Sequence, residues 1–321
     1  MTQKTRKVVF ITGYRPGGPY YWAEKLVKKI GELDLGWRGS HPKTLWQTIY
    51  SALIAPNADV VHSTLPVAFH LWRRPLVMTI KGDFEREKGP GYRGYRRAIA
   101  AADAVTVPSE FIKRQLGLHQ AIVIPNGFDL PNAVSRPETE PDDPIKLLTV
   151  TKFHFKDKAS GVLNLYRILE SVAGRSNRQI VWDILGDGAF RREIESQVKS
   201  EKIKINFRGF VDPKPFYQSA DVFLYYSDHD NMPNAIIEAM GYGLPVISND
   251  IGAVGEMIDD GVSGYLCRDQ QDYTAKLTQM LKTPSDLAVL GRQAREVVAT
   301  RFDNDVITRK YLEIYERIVT K

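Results

Sequence analysis

Asp230 and Glu238 stand eight positions apart in DNMPNAIIE, with a Pro- and Asn-containing loop between them that runs into a helix. Ionised carboxylates only accept hydrogen bonds, so this pair suits sugar or ribose hydroxyls. The loop Asn231, Met232, Pro233, Asn234 offers backbone N–H groups, Pro233 excepted, at a helix start, an arrangement that suits a phosphate. A buried strand from Leu244 to Ser248 follows, then a Gly loop opening at Gly252. Upstream, TKFHFKDK carries Lys152, Lys156 and Lys158, with His154 between. Fixed cations of this kind can stabilise charge on a leaving phosphate. No His/Asp/Glu group has metal-ligand spacing and no Asp-x-Asp pair reads as a metal–nucleotide clamp, so metal-independent sugar-nucleotide chemistry is expected.

These residues need a scaffold, and the pattern supplies one. Strand-like runs at Lys7–Thr12, Ala58–Thr64, Pro75–Ile80, Ala104–Ser109 and Ala121–Gly127 alternate with helical signals over Trp22–Leu33, Thr44–Ile54 and Arg93–Ala102. Ser109 is placed to cap a helix starting at Glu110. Residues 129–144 hold four prolines and little apolar periodicity, and the linker is set at 136–144. The alternation then restarts: IKLLTVTKF, a helix from Gly161 to Ala173, IVWDILGDG, a helix from Ala189, INFRGFV, a short helix from Pro213, DVFLYYS, the Ala235–Tyr242 helix and PVIS. Two doubly wound, mostly parallel sheets are expected, with ligands beyond the carboxyl ends of the strands, between the domains. The domains are 1–135 and 145–303, with an amphipathic helix at about 304–321 expected to pack back on the first.

Composition narrows the class. At 321 residues with 43% apolar and 26% charged residues, the chain is globular and long enough for two cores. Its apolar runs are too short to span a bilayer, and MTQKTRKVVFITGY reads as a strand rather than a signal peptide. A lone cysteine, Cys267, fits a reducing cytosol and reads as a small buried residue. Lys and Arg exceed Asp and Glu by 8 over residues 1–140, whereas acids exceed bases by 2 over 141–321. A basic first half beside a near-neutral second half suggests an anionic partner for the first. PYYWAEKLVKK, with aromatic and basic residues, could rest on an anionic membrane surface, and GDFEREKGPGYRGYRR suits an anionic acceptor. No recognised nucleic-acid module organises the excess, so nucleic acid is not expected.

In order along the second half, LLTVTKFHFKDKASGV, ILGDGAFRREIE, INFRGFV, YQSADVFLYYS, Asp230-x7-Glu238, EAMGYGLPVI and DGVSGYL resemble the donor domain of family 4 glycosyltransferases. The first half resembles the family more loosely, through Gly17 and Gly18 after strand one, ADVVHS, TIKGD, AADAVTVPSEF and IPNGFD. The resemblance implies a GT-B fold, two Rossmann-like domains facing across a cleft, and retaining, metal-independent transfer of a hexose from a UDP- or GDP-sugar, with no further cofactor. The acceptor would be a hydroxyl of a glycan or lipid-linked glycan in polysaccharide biosynthesis. The implied location is the cytoplasm, peripheral on the inner membrane face. It implies Lys152 and Lys158 (with Lys156 competing) at the diphosphate, Glu238 on the ribose hydroxyls and Asp230 near the donor sugar. Asn231, Met232, Pro233 and Asn234 would touch sugar and phosphate by backbone. Gly17 and Gly18 would admit phosphate or acceptor, Gly209 and Phe210 would touch the base, and Arg208 would neighbour the base or ribose.

Three departures bear on substrate choice. Lys152 stands where Arg is usual, and Asp230 where Glu is more frequent. Lys81, in TIKGD, replaces a histidine that in the family meets the donor sugar. An ammonium cannot copy neutral imidazole. It would pair with an anionic sugar, such as a uronic acid, or acceptor group, or internally with Asp83 or Asp230. His62 is a candidate cleft residue and His154 a candidate phosphate neighbour. A GT-B epimerase or phosphorylase and a non-catalytic nucleotide-sugar-binding subunit are the alternatives.

Overall fold

The computed structural model describes residues 5–12, 18–44, 46–47, 58–66, 75–87, 92–132, 134, 143–175 and 178–320. The chain divides into two units, Met1–Gly127 with Asn304–Lys321, and Phe128–Asp303. Most of the linker set at 136–144, and most of the helix expected at Thr44–Ile54, lie outside the described residues. No helix among the described residues is long and apolar enough to cross a membrane.

The first unit is built on strands β1 (Arg6–Ile11), β2 (Trp37–Ser40), β3 (Val60–Ser63), β4 (Leu76–Thr79), β5 (Ala104–Val107) and β6 (Ile122–Val123), in sheet order β2-β1-β3-β4-β5-β6. Every pairing is parallel. Strands covered on both faces read as continuous apolar runs, as VVFI does. Successive side chains of β1 feed opposite cores. Val8 and Phe10 pack with α1 (Gly18–Leu33) and the C-terminal helix Asn304–Val319, whereas Val9 and Ile11 pack with α2 (Tyr95–Ala101) and α3 (Glu110–Gln115). Ser109 caps α3 by accepting from the Ile112 N–H. Glu316 of the terminal helix accepts from Trp37 Nε1 at 2.6 Å and pairs with Arg6.

His62 belongs to this core. It is fully buried, with Nδ1 2.6 Å from Tyr315 Oη and Nε2 2.6 Å from Thr79 Oγ1. Desolvation, then the charge of Lys81, holds its pKa well below the usual value, so the ring is neutral. The expectation that it lines a cleft is therefore corrected: both nitrogens are occupied inside the fold.

The second unit carries β7 (Ile145–Val150), β8 (Ile180–Leu185), β9 (Ile203–Gly209), β10 (Val222–Tyr225), β11 (Val246–Asn249) and β12 (Gly264–Cys267), in order β12-β11-β10-β7-β8-β9 and all parallel. From β7 the chain winds outward through α4 (Lys156–Ala173), β8, α5 (Arg191–Gln197) and β9. It returns through α6 (Lys214–Ser219) to the other side of β7, then continues through β10, α7 (Asn234–Gly241) and β11. The loops leaving β7 and β10 thus diverge to opposite faces, which opens a crevice at their carboxyl ends. Ala159, Val162, Leu165, Leu169 and Val172 form the buried stripe of α4 against Trp182 and Leu224. Two polar helices, α8 (Gln270–Lys282) and α9 (Pro284–Val297), complete this unit, and α10 is the terminal helix Asn304–Val319. Cys267 is buried, and desolvation pushes its thiol up to about 12, which makes it inert.

Candidate functional site

The crevice between β7 and β10 collects the residues singled out around Asp230. Helix α4 begins at Lys156, five residues before the expected Gly161, so Lys156 and Lys158 lie in its first turn and not in a loop. Cations are disfavoured at a helix N-terminus by about 0.3–1 kcal/mol each. The α4 N-cap, Phe155, gives no side-chain cap bond, and neither does Pro233 at the head of α7. Two helix N-termini without side-chain caps therefore flank the switch point, and the positive end of a helix dipole suits an anion.

Glycines bring these ends together. A Cβ on Gly161 would lie 1.9 Å from the Tyr226 carbonyl oxygen, so α4 approaches the exit of β10 more closely than any side chain permits. Asp228 N–H and Ser227 Oγ both donate to the Asp157 carbonyl, at 3.1 and 3.2 Å. On the other flank Gly252 has φ +57°, and its Cβ would lie 1.9 Å from the Asp230 carbonyl oxygen. The Ala253 N–H donates to the Asn231 carbonyl at 2.8 Å. Behind Lys152, Gly186 (φ +127°) leaves no room for a Cβ beside the Thr151 carbonyl, at 1.8 Å.

Asp230 is held from three sides. Its Oδ2 accepts from the Tyr225 hydroxyl and pairs with Lys158 Nζ at 2.5 Å, and its Oδ1 accepts the Asn231 N–H at 2.8 Å. Burial, followed by the Asp230 charge, pushes the Tyr225 hydroxyl well above its ordinary value, so it remains a donor. The side chains of Lys158 and Asp230 are only 23% and 11% exposed, which shields the pair from solvent screening. Lys152 is exposed and makes no ion pair among the described residues. Asn231 buries an Oδ1 without a hydrogen-bond partner, Met232 is buried and Asn234 opens α7. An orphaned buried amide is costly and is satisfied by a ligand that supplies a donor.

Glu238 lies one turn into α7, half-buried, and its Oε2 accepts from the Tyr217 hydroxyl at 3.0 Å. Tyr217, from α6, is buried and stacks on Tyr242, with centroids 5.4 Å apart. Burial, then the Glu238 charge, keeps its phenol protonated. Tyr217 and Tyr225 thus orient the two carboxylates, and nothing in KPFYQS or DVFLYYS marks them as anything but core aromatics.

The remaining candidates lie on other elements. Gly209 ends β9 with φ +72°, and its carbonyl accepts the Gly186 N–H at 2.8 Å. Arg208 turns to Asp183 in mid-β8 at 2.7 Å and lies over Phe216, so its guanidinium is tied along the sheet. Phe210 is 92% exposed and His154 is exposed. Gly18 is the first residue of α1, not part of the preceding loop, and Gly17 lies outside the described residues.

Lys81, in the first unit, follows β4 and is half-buried, not an exposed loop lysine. Its Nζ stands 4.1 Å over the Trp22 ring and donates to Asn126 Oδ1 at 3.3 Å. It does not pair with Asp83, which accepts from the Glu85 and Arg86 N–H groups and from Gln115. Desolvation lowers the Lys81 pKa to about 7.

Comparison with known proteins gives this geometry a context. Residues 5–131 match the family model "Glycosyltransferase Family 4" and residues 144–283 match "Glycosyl transferases group 1". The amylovoran biosynthesis glycosyltransferase AmsK of Erwinia amylovora is 27% identical over 54% of this chain and 45% of its own length. The putative colanic acid biosynthesis glycosyltransferase WcaL of Salmonella typhimurium is 27% identical over 60% of this chain and 50% of its own. The chain thus spans about half the length of these relatives. Among solved structures, sucrose-phosphate synthase from Thermosynechococcus elongatus aligns over 98% of this chain and 99% of its own at 17% identity, TM-score 0.76. Anabaena HepE, in complex with UDP-glucose, aligns over 97% and 99% at 18% identity, TM-score 0.72. The fold is GT-B, and both halves of the chain match glycosyltransferase family models.

Proposed function

We propose that this GT-B chain is a retaining, metal-independent glycosyltransferase that moves a hexose from a UDP- or GDP-sugar to a hydroxyl of a glycan or lipid-linked acceptor. The observation that carries this reading is the convergence, at one switch point, of Lys152, Lys158 and two helix N-termini without side-chain caps. Such a set of fixed positive groups stabilises a leaving diphosphate in place of a metal. Glu238, oriented by Tyr217, would accept from the ribose hydroxyls. Asp230 and the 231–234 backbone would hold the sugar, and the orphaned Asn231 amide would gain a partner. The printed descriptions of AmsK and WcaL, in amylovoran and colanic acid biosynthesis, support a role in polysaccharide assembly, and the HepE complex with UDP-glucose supports a UDP-sugar donor.

In the proposed reaction the bond from the anomeric carbon to the leaving phosphate oxygen breaks while the acceptor oxygen bonds the same face. The acceptor proton passes to the leaving phosphate, so no protein nucleophile is needed. The protein contributes positioning and charge stabilisation. The acceptor would be handled by the first unit. There the exposed Tyr21 and Trp46, with exposed Lys25, Lys28 and Lys43, support peripheral contact with an anionic membrane.

Calorimetric titration with UDP, GDP, ADP and their sugars tests the reading. One nucleotide family should bind, and Lys158→Met and Glu238→Ala should each weaken it by about 10- to 100-fold, the scale of a charge-assisted hydrogen bond. Binding by none of them would overturn it. Binding without release of nucleotide in the presence of any sugar acceptor would favour a non-catalytic subunit.

A further inference from the structure

The first unit holds a cation that the proposed chemistry does not use. Three segments converge on the Lys81 ammonium at the carboxyl ends of parallel strands: Lys81 after β4, Asn126 after β6, and Trp22 from the helix after β1. The partners are a ring face and an amide oxygen, and neither brings a negative charge. No carboxylate pairs with Lys81 among the described residues, and the nearest in sequence, Asp83, is turned to Glu85, Arg86 and Gln115.

The other titratable groups around this niche do not neutralise it. His62, from β3, is neutral, and its protonated form is opposed by Lys81 itself. Tyr311 and Tyr315, from α10, pack on His62 and are kept protonated by burial. Their hydroxyls supply dipoles but no charge. A desolvated ammonium with neutral neighbours is an expensive arrangement, and natural folds pair or neutralise such groups. Trp22 compensates only in part, as an aromatic face does for a cation. The site lies where parallel sheets bind ligands.

We infer that the Lys81–Trp22–Asn126 niche binds an anionic oxygen group, a carboxylate or a phosphate, carried by one of the sugars the enzyme handles. This rests on the glycosyltransferase reading for the identity of the ligand as a sugar. The ammonium meets the anion, the Trp22 ring backs the ammonium and the Asn126 oxygen fixes its direction. The depressed pKa supports the same conclusion, because a nearby anion returns the proton that burial removes.

The sign of the pH dependence follows. Lys81 is charged below about 7 and neutral above it. Affinity for an anionic sugar therefore falls as pH rises, by about tenfold between pH 6 and pH 8 for one titrating group. A neutral sugar lacks this component, and Lys81→Arg, charged throughout, removes it.

Calorimetry at pH 6 and pH 8 with two matched probe sets tests the niche. UDP-glucuronic acid against UDP-glucose reports a carboxylate on the donor. Glucuronate and glucose 6-sulfate, whose charges are constant over this pH range, against glucose, with and without UDP, report an anion on the acceptor side. In at least one set the anionic probe should bind more tightly at pH 6, Lys81→Ala should cut its advantage over the neutral probe by about 10- to 100-fold, and Lys81→Arg should retain the advantage at both pH values. The set that responds identifies the source. Equal losses for anionic and neutral probes in both sets, or a pH slope that survives Lys81→Arg, would overturn the inference. Lys81-dependent binding of glucuronate without any binding of UDP would instead retire the nucleotide-sugar reading and leave the niche standing.

Discussion

Replacing Gly252 by alanine tests how the candidate site is assembled. Gly252 has φ +57°, a conformation that costs a residue with a Cβ about 1–2 kcal/mol. The added Cβ would lie 1.9 Å from the Asp230 carbonyl oxygen, 3.0 Å from its carbon and 3.1 Å from the Asn231 oxygen. The neighbours are backbone and cannot swing aside, so the loops after β10 and β11 must part. That breaks the 2.8 Å bond from Ala253 N–H to the Asn231 carbonyl, worth about 1 kcal/mol. The expected loss is about 2–3 kcal/mol, or roughly 5–10 °C in Tm for a unit of this size. Because the displaced segment carries Asp230 and the head of α7, nucleotide-sugar affinity should fall with it. Gly261 supplies the control: its φ is +75° with nothing within 4 Å of a Cβ. Gly261→Ala should cost only about 1 kcal/mol and leave affinity intact. Thermal unfolding and calorimetry on both variants decide. Equal shifts in Tm, or Gly252→Ala binding as tightly as the parent, would refute the reasoning.

Other consequences concern the two carboxylates and the half-buried lysine. Tyr217→Phe should weaken nucleotide binding through Glu238 by no more than about tenfold, and Glu238→Gln by more, since the first removes an orienting bond and the second a charge-assisted acceptor; titration calorimetry separates them. Lys158→Met and Asp230→Asn should be non-additive by about 1–2 kcal/mol in a double-mutant cycle read by denaturant unfolding, because their 2.5 Å contact is shared. Lys81 binds its proton more tightly unfolded, near 10.5, than folded, near 7, so the folded state is penalised increasingly as pH falls from 10.5 to 7. Lys81→Met should therefore stabilise the protein at pH 7 by on the order of 2–4 kcal/mol, with the gain shrinking toward pH 10 in thermal scans. The buried neutral His62 is likewise depressed: its contribution is full above about 6.5 and is lost on acidification, so acid unfolding should begin below that pH and His62→Phe should flatten it.

The architecture was legible because buried parallel strands such as KVVFI and IKLLTV write their burial as unbroken apolar runs. Elements whose stability comes from elsewhere were not. The first turn of α4, KDKAS, shows no apolar stripe until Ala159, so the helix read as starting at Gly161. WRGS buries only Trp37 and carries no strand signal of its own. Polar α8 and α9 pack through few residues, such as Tyr273, Leu277, Leu290 and Ala294. In the candidate site, the types and order of Lys158, Asp230 and Glu238 were readable. Their anchoring by Tyr225 and Tyr217 was not, because it depends on strands and helices meeting in space. Lys81 shows the same limit: its burial needs Asn126, 45 residues away, and Trp22. His62 read as a cleft residue because its partner Tyr315 lies 253 residues downstream.

The most direct test of glycosyl transfer with retention needs no acceptor. Incubated with the nucleotide sugar it binds, the protein should slowly release nucleotide to water, and NMR of the first turnovers should show the freed sugar with the donor's own anomeric configuration. Lys158→Met should suppress that release. The opposite anomer, or tight binding with no release under any condition, would contradict the assignment.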